Sequence, residues 1–152
     1  MTVLLIISFI ILLSYILYAG VAESLSATYY KVKKPYLFQI ALGLTGFLMM
    51  IYLLDVTAGK WYQFMSFFAT SALIFVAFAP DYRRMLEGKV HAVSAYVSAG
   101  ASVLLLVLMG FWYIPAITLT LAMKPVNNRT YWLEMGCFSA IYITLLILNI
   151  WY

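Results

Sequence analysis

Proton chemistry in this chain has to pass through few side chains. There is one histidine, His91, one cysteine, Cys137, and five acidic residues, and histidine is the side chain whose ordinary pKa lies nearest neutrality. His91 follows a polar bend, PDYRRMLEGKV (residues 80–90), that holds Asp81, Arg83, Arg84, Glu87 and Lys89 between two apolar runs. Glu23 and Ser26 stand near the end of the first apolar run, and Glu134 near the start of the last. An imidazole facing carboxylates can exchange protons with them, so Glu23, Ser26, Asp81, His91 and Glu134 form the candidate binding pocket. An ionisable group near the membrane interior costs about 3 kcal/mol or more unless paired or hydrated, which turns such groups inward. The plainer alternative is a set of interfacial charges, neutralised by Arg83, Arg84 and Lys89, that fix topology.

Other chemistries lack their parts. Zinc sites normally take more histidine or cysteine than His91 and Cys137 supply within one chain, the carboxylates with His91 leave open only an oxygen-loving divalent ion, and no intramolecular disulfide can form. The sequence contains no phosphate-cradling glycine loop and no nucleophile elbow. Ser26, His91 and an acid make a hydrolytic triad only on paper, and no catalytic residue, metal or cofactor is assigned. His91, Ser94, Ser98 and Ser102 recur at helical spacing. That stripe reads as a packing seam of small residues, or as the wall of a groove beneath the pocket.

The elements that must position these groups follow from composition. With 66% hydrophobic and 9% charged residues and a mean hydropathy of +1.02, the chain falls far below the quarter of charged residues that a water-facing surface uses. The expectation is one all-α integral membrane domain, 1–152, with helices at about 3–22, 36–54, 61–79, 90–108, 111–123 and 131–151. The first apolar run lacks the positive start of a signal peptide and is kept as a helix. The stretch 91–123 would make a helix of ~50 Å, longer than a bilayer, so it breaks near Gly110 and Pro115 and leaves a short fifth helix. The first helix is expected to continue toward Thr28 as an interfacial turn carrying Glu23, Ser26 and Tyr30 on one face. Asp81 is expected to cap a short interfacial helix closed by Gly88.

Charge supports six helices over the alternative of five. With six, Lys31, Lys33, Lys34, Arg83, Arg84, Lys89, Lys124 and Arg129 share one side, opposite Lys60. The positive-inside rule makes that side cytoplasmic and puts both termini outside the cytoplasm. A five-helix count would move Lys124 and Arg129 across. Tyr52, Trp61, Tyr62, Trp112, Tyr113, Trp151 and Tyr152 would form an outer aromatic belt, and Tyr29, Tyr30, Tyr36, Tyr82, Tyr131 and Trp132 an inner one. All five candidate pocket residues then fall at the cytoplasmic level. The net charge of +4 is read as topology signal and anionic-lipid contact, not nucleic-acid binding.

At ESLSATYY (23–30), FAPD (78–81) and His91, the chain resembles small bacterial polytopic membrane proteins of the Bacteroidetes type. More distantly it is similar to the six-helix DRAM-like and FRAG-like proteins, which place a serine motif after helix 1, a proline-acid pair after helix 3 and a histidine at the head of helix 4. The matching positions are Ser26, Pro80-Asp81 and His91. Glu23-Ser24 stands where a proline commonly introduces the serine. The chain also resembles ceramidase-like membrane hydrolases in its serine, aspartate and histidine near helix ends, but it lacks their further histidines. The resemblance implies lipid-related work without metal hydrolysis.

The leading expectation is therefore an inner-membrane bundle that binds a lipid or other amphiphile at a cytoplasmic-side polar pocket. Membrane lipids are the expected partners, and the small-residue seams are compatible with a homo-oligomer. The alternatives are a small proton-coupled transporter or subunit using the same residues as a relay, and a non-catalytic scaffold.

Overall fold

The computed structural model describes residues 2–79, 85–124 and 127–151. Asp81, with the rest of the 80–84 bend, and Tyr152 lie outside the described residues. The described residues form helices joined by turns, in the order α1 (Thr2–Ala19), α2 (Thr28–Lys31), α3 (Tyr36–Val56), α4 (Gln63–Phe78), α5 (Met85–Leu108), α6 (Tyr113–Ala122) and α7 (Arg129–Trp151). Four helices, α1, α3, α5 and α7, are long and apolar enough to cross a membrane. α4 and α6 are apolar but shorter, at 16 and 10 residues.

Two glycines set the helix ends that matter most. Gly20 has φ +67° and donates its N–H to Ile16 O at 2.8 Å, so α1 stops at Ala19 and not near residue 22. A left-handed residue ends a helix, and glycine adopts it without the steric cost of a Cβ. The helical face expected to carry Glu23, Ser26 and Tyr30 is therefore absent, since only Thr28–Lys31 is helical there. Gly110, at φ +89°, ends α5 with paired bonds from Gly110 N to Val107 O and from Phe111 N to Leu106 O. The break expected at this point occurs there. Gly88 closes nothing: among the described residues α5 already runs unbroken from Met85 through Gly88, ahead of the expected start at 90.

The helices pack in sequence as a ring. α1 lies on α3, α3 on α4 and α4 on α5, while α6 lies against α7 and also touches α5. α7 closes the ring onto α5 and α1 over much smaller contacts. Lipid tails are as apolar as leucine, so close approach and hydrogen bonds select the partners. At Gly46 an added Cβ would stand 2.9 Å from Ile74 Cγ1, and at Gly136 2.9 Å from Ala122 Cβ. Glycine is what lets α3 meet α4 and α6 meet α7. Ser98 Oγ on α5 donates to Ala69 O on α4 at 2.7 Å, and Thr57 and Ser66 hydroxyls meet at 3.0 Å.

Two tyrosines leave the expected aromatic belts. Tyr52 and Tyr131 are both 2% exposed. Asn149 Nδ2 donates to Tyr52 OH at 2.6 Å, and Thr2 Oγ1 donates to Asn149 Oδ1 at 2.8 Å, so α1, α3 and α7 are tied at the far end. A buried hydroxyl needs such a partner. Trp61, Trp112 and Tyr36 remain on the outside, as a belt requires.

Candidate functional site

The chain between α1 and α2 is shaped by its own hydroxyls. Ala27 N donates to Ser24 Oγ at 3.0 Å, and Thr28 Oγ1 donates to Leu25 O at 2.5 Å. Serine and threonine offer the backbone these local bonds in place of helical ones, so the segment turns. Because the Thr28 proton goes to Leu25 O, Tyr15 of α1 donates its hydroxyl to Thr28 Oγ1 at 2.6 Å. From the other side, Leu25 N donates to Glu134 Oε2 at 2.5 Å, and Tyr131 N donates to Glu23 O at 3.2 Å. The Tyr131 amide is one of the donors that a helix leaves unpaired in its first turn. The turn is thus held by α1 and α7 together.

Ser26 sits on this turn and is 6% exposed. Its Oγ lies 2.7 Å from His91 Nε2, across 65 positions of sequence. His91, 7% exposed on the second turn of α5, also places Nδ1 2.9 Å from Ala79 O, the carbonyl freed where α4 ends. A carbonyl only accepts, so Nδ1 carries the proton. In the neutral ring Nε2 is then the acceptor, and the Ser26 hydroxyl donates to it. The backbone carbonyl fixes both the tautomer and the direction of the imidazole.

Two cavities meet at Ser26. The more polar one, an open recess of about 380 Å³, is walled by Glu23, Ser24, Ser26, His91, Thr130 and Glu134 together with Ala92, Ala95 and Tyr96. A half-open apolar one of about 260 Å³ lies between α3, α4, α5 and α7. Leu42, Met49 and Leu53 of α3, Leu73 and Val76 of α4, and Phe138 and Ile141 of α7 supply its walls. From Leu42 to Leu53 it runs ~16 Å along α3, at 1.5 Å per residue. Ser26 and Glu134 belong to both walls.

Of the candidate residues, Glu23, Ser26, His91 and Glu134 stand together around the polar cavity. The ring nitrogens of His91 meet a serine and a backbone carbonyl. Glu134 serves the turn through the amide of Leu25. Ser98 and Ser102 line the apolar cavity, but Ser94 is not among its wall residues. The serine stripe is therefore both seam and wall, since Ser98 also bonds α4. Sequence reasoning missed Tyr15, Thr28, the Leu25 amide and the Ala79 carbonyl. The alternation Ser24-Leu25-Ser26-Ala27-Thr28 was the available signal for a turn. Among the described residues, no three His, Cys, Asp or Glu side chains are grouped to hold a metal ion.

No family model, no curated protein and no solved structure matches this chain.

Proposed function

We propose that this protein binds a single-chain lipid or similar amphiphile, with the tail inside the helix ring and the head among Glu23, Ser24, Ser26, His91 and Glu134. One observation carries the reading: an apolar cavity and a more polar one share a wall that includes Ser26 and Glu134. An amphiphile has the same two-part shape. Entry between α5 and α7 is favoured by the small contact of these two helices and by the residues of both that wall the cavity. Inside a bilayer the tail gains little by leaving its neighbours, so selection rests with the polar end.

Taking ~30 Å³ per water-sized unit, 260 Å³ holds about nine methylene-sized units. Each methylene withdrawn from water contributes ~0.8 kcal/mol, about fourfold in affinity. Monoacylglycerols of increasing length, titrated below micelle-forming concentrations onto the chain held in an amphipathic polymer, should gain about fourfold per methylene. The gain should stop near nine. Affinity indifferent to length, or rising without a plateau, would count against a tail inside the ring.

The bundle is further proposed to lie in the inner membrane with six spans, the Ser26 end cytoplasmic and both termini outside. The basic residues at that end support this orientation, against Lys60 at the other. α6 is ~15 Å long and needs the following residues to complete its crossing. Reporter fusions after Lys34 and Lys124 should read as cytoplasmic, and fusions after Lys60 and at the C-terminus as external. An external reading after Lys124 would replace six spans by five.

A further inference from the structure

Resting on that reading of the two cavities, we propose that Ser26 is a nucleophile which takes the acyl group from an ester-bearing amphiphile, with His91 as its general base. A nucleophile, a base and a group that orients the base stand in order. Ser26 Oγ is 2.7 Å from His91 Nε2, and His91 Nδ1 is 2.9 Å from Ala79 O. A weak hydroxyl nucleophile needs a base within hydrogen-bonding reach and a third group to orient that base. Here a main-chain carbonyl does the orienting, where better-known triads use a carboxylate. A carbonyl holds the ring's direction but carries no full charge to stabilise imidazolium, so turnover should be slow.

Position argues as strongly as distance. Ser26 lies where the apolar cavity meets the polar one. The carbonyl of an acyl ester is the junction between tail and head. An amphiphile with its tail along Leu42 to Leu53 and its head against Glu23 and Glu134 would bring that carbonyl to Ser26 Oγ.

The step balances without any redox partner. Oγ forms a bond to the carbonyl carbon as its proton passes to Nε2. The ester C–O bond then breaks, and the departing alcohol takes the proton back from Nε2. This leaves acyl-Ser26 and a free alcohol. Water, or a second alcohol, next attacks the acyl carbon while giving its proton to Nε2. The Ser26 oxygen leaves with that proton, and a fatty acid, or a new ester, is released. The substrate class is a fatty-acyl ester of an alcohol, with hydrolysis or acyl transfer as the outcome.

The test uses the purified full chain with alkyl fluorophosphonates, in which the serine oxygen displaces fluoride from phosphorus. Intact mass followed by peptide mapping should show one addition, at Ser26, faster with a decyl than with a methyl reagent. Ser26→Ala should show none. His91→Ala should react at least 100-fold more slowly, the range that a positioned base supplies. An unlabelled Ser26, or labelling at another residue, in a chain that still shows the length-dependent binding overturns the nucleophile and leaves the binding site standing. Loss of both overturns the binding reading itself. Equal rates for wild type and His91→Ala remove His91 as the base. The wild-type result needs no variant to fold.

Discussion

Ala69→Phe is expected to weaken amphiphile binding by more than tenfold while leaving the bundle folded. Ala69 is 3% exposed and forms part of the apolar cavity wall, so added bulk has the cavity as its outlet. A phenyl ring takes the room of several methylenes, and each methylene excluded should cost about fourfold in affinity. In a close-packed core the same change would overpack and cost about 1–3 kcal/mol. Beside a cavity of about 260 Å³ that cost should be largely absent. Thermal unfolding and monoacylglycerol titration of the same preparation separate the two effects. A chain that melts well below wild type would show that the ring had nowhere to go. A stable chain with unchanged affinity would show that the ligand does not use this cavity.

Glu134→Ala should lower stability by about 1–3 kcal/mol, and Glu134→Gln by much less. The carboxylate accepts the Leu25 amide at 2.5 Å, and alanine leaves that donor without its partner. Glutamine keeps a side-chain oxygen at the same reach. For a chain of this size 1 kcal/mol shifts the melting temperature by roughly 2–4 °C, so the alanine variant should melt roughly 2–12 °C lower. The second consequence is local. Leu25 precedes Ser26, so releasing it should spoil the short contact between Ser26 and His91, and labelling of Ser26 should fall with it. Equal melting of the alanine and glutamine variants would show that the carboxylate does not anchor the turn. An alanine variant that melts low but labels normally would show that the turn is held by Tyr15 and Thr28 instead.

Helices long and apolar enough to cross a membrane, an all-helical class and the main break points were legible from composition, segment length and two residue types. Twenty or so apolar residues can satisfy their backbone in lipid only as helix, and Gly110 marks a place where a side chain would oppose the left-handed turn. That the candidate residues lie at one level was legible, because each stands at the end of an apolar run. Glu23, Ser26, His91 and Glu134 are indeed neighbours. What joins them was hidden. Tyr52 and Tyr131 have the composition of belt residues, yet both are buried.

The amino-acid sequence by itself determined that this chain builds helices long and apolar enough to cross a membrane, with its scarce ionisable groups near their ends. Hydropathy and segment length are local quantities that a sequence contains in full. Only the tertiary structure decided that Ser26 faces His91, that Ala79 O orients the ring and that an apolar cavity ends there. The physical reason is that a membrane helix is apolar on its lipid face and on its core face alike. Side-chain pattern therefore does not say which face turns inward, and close approach at residues such as Gly46 and Gly136 settles it.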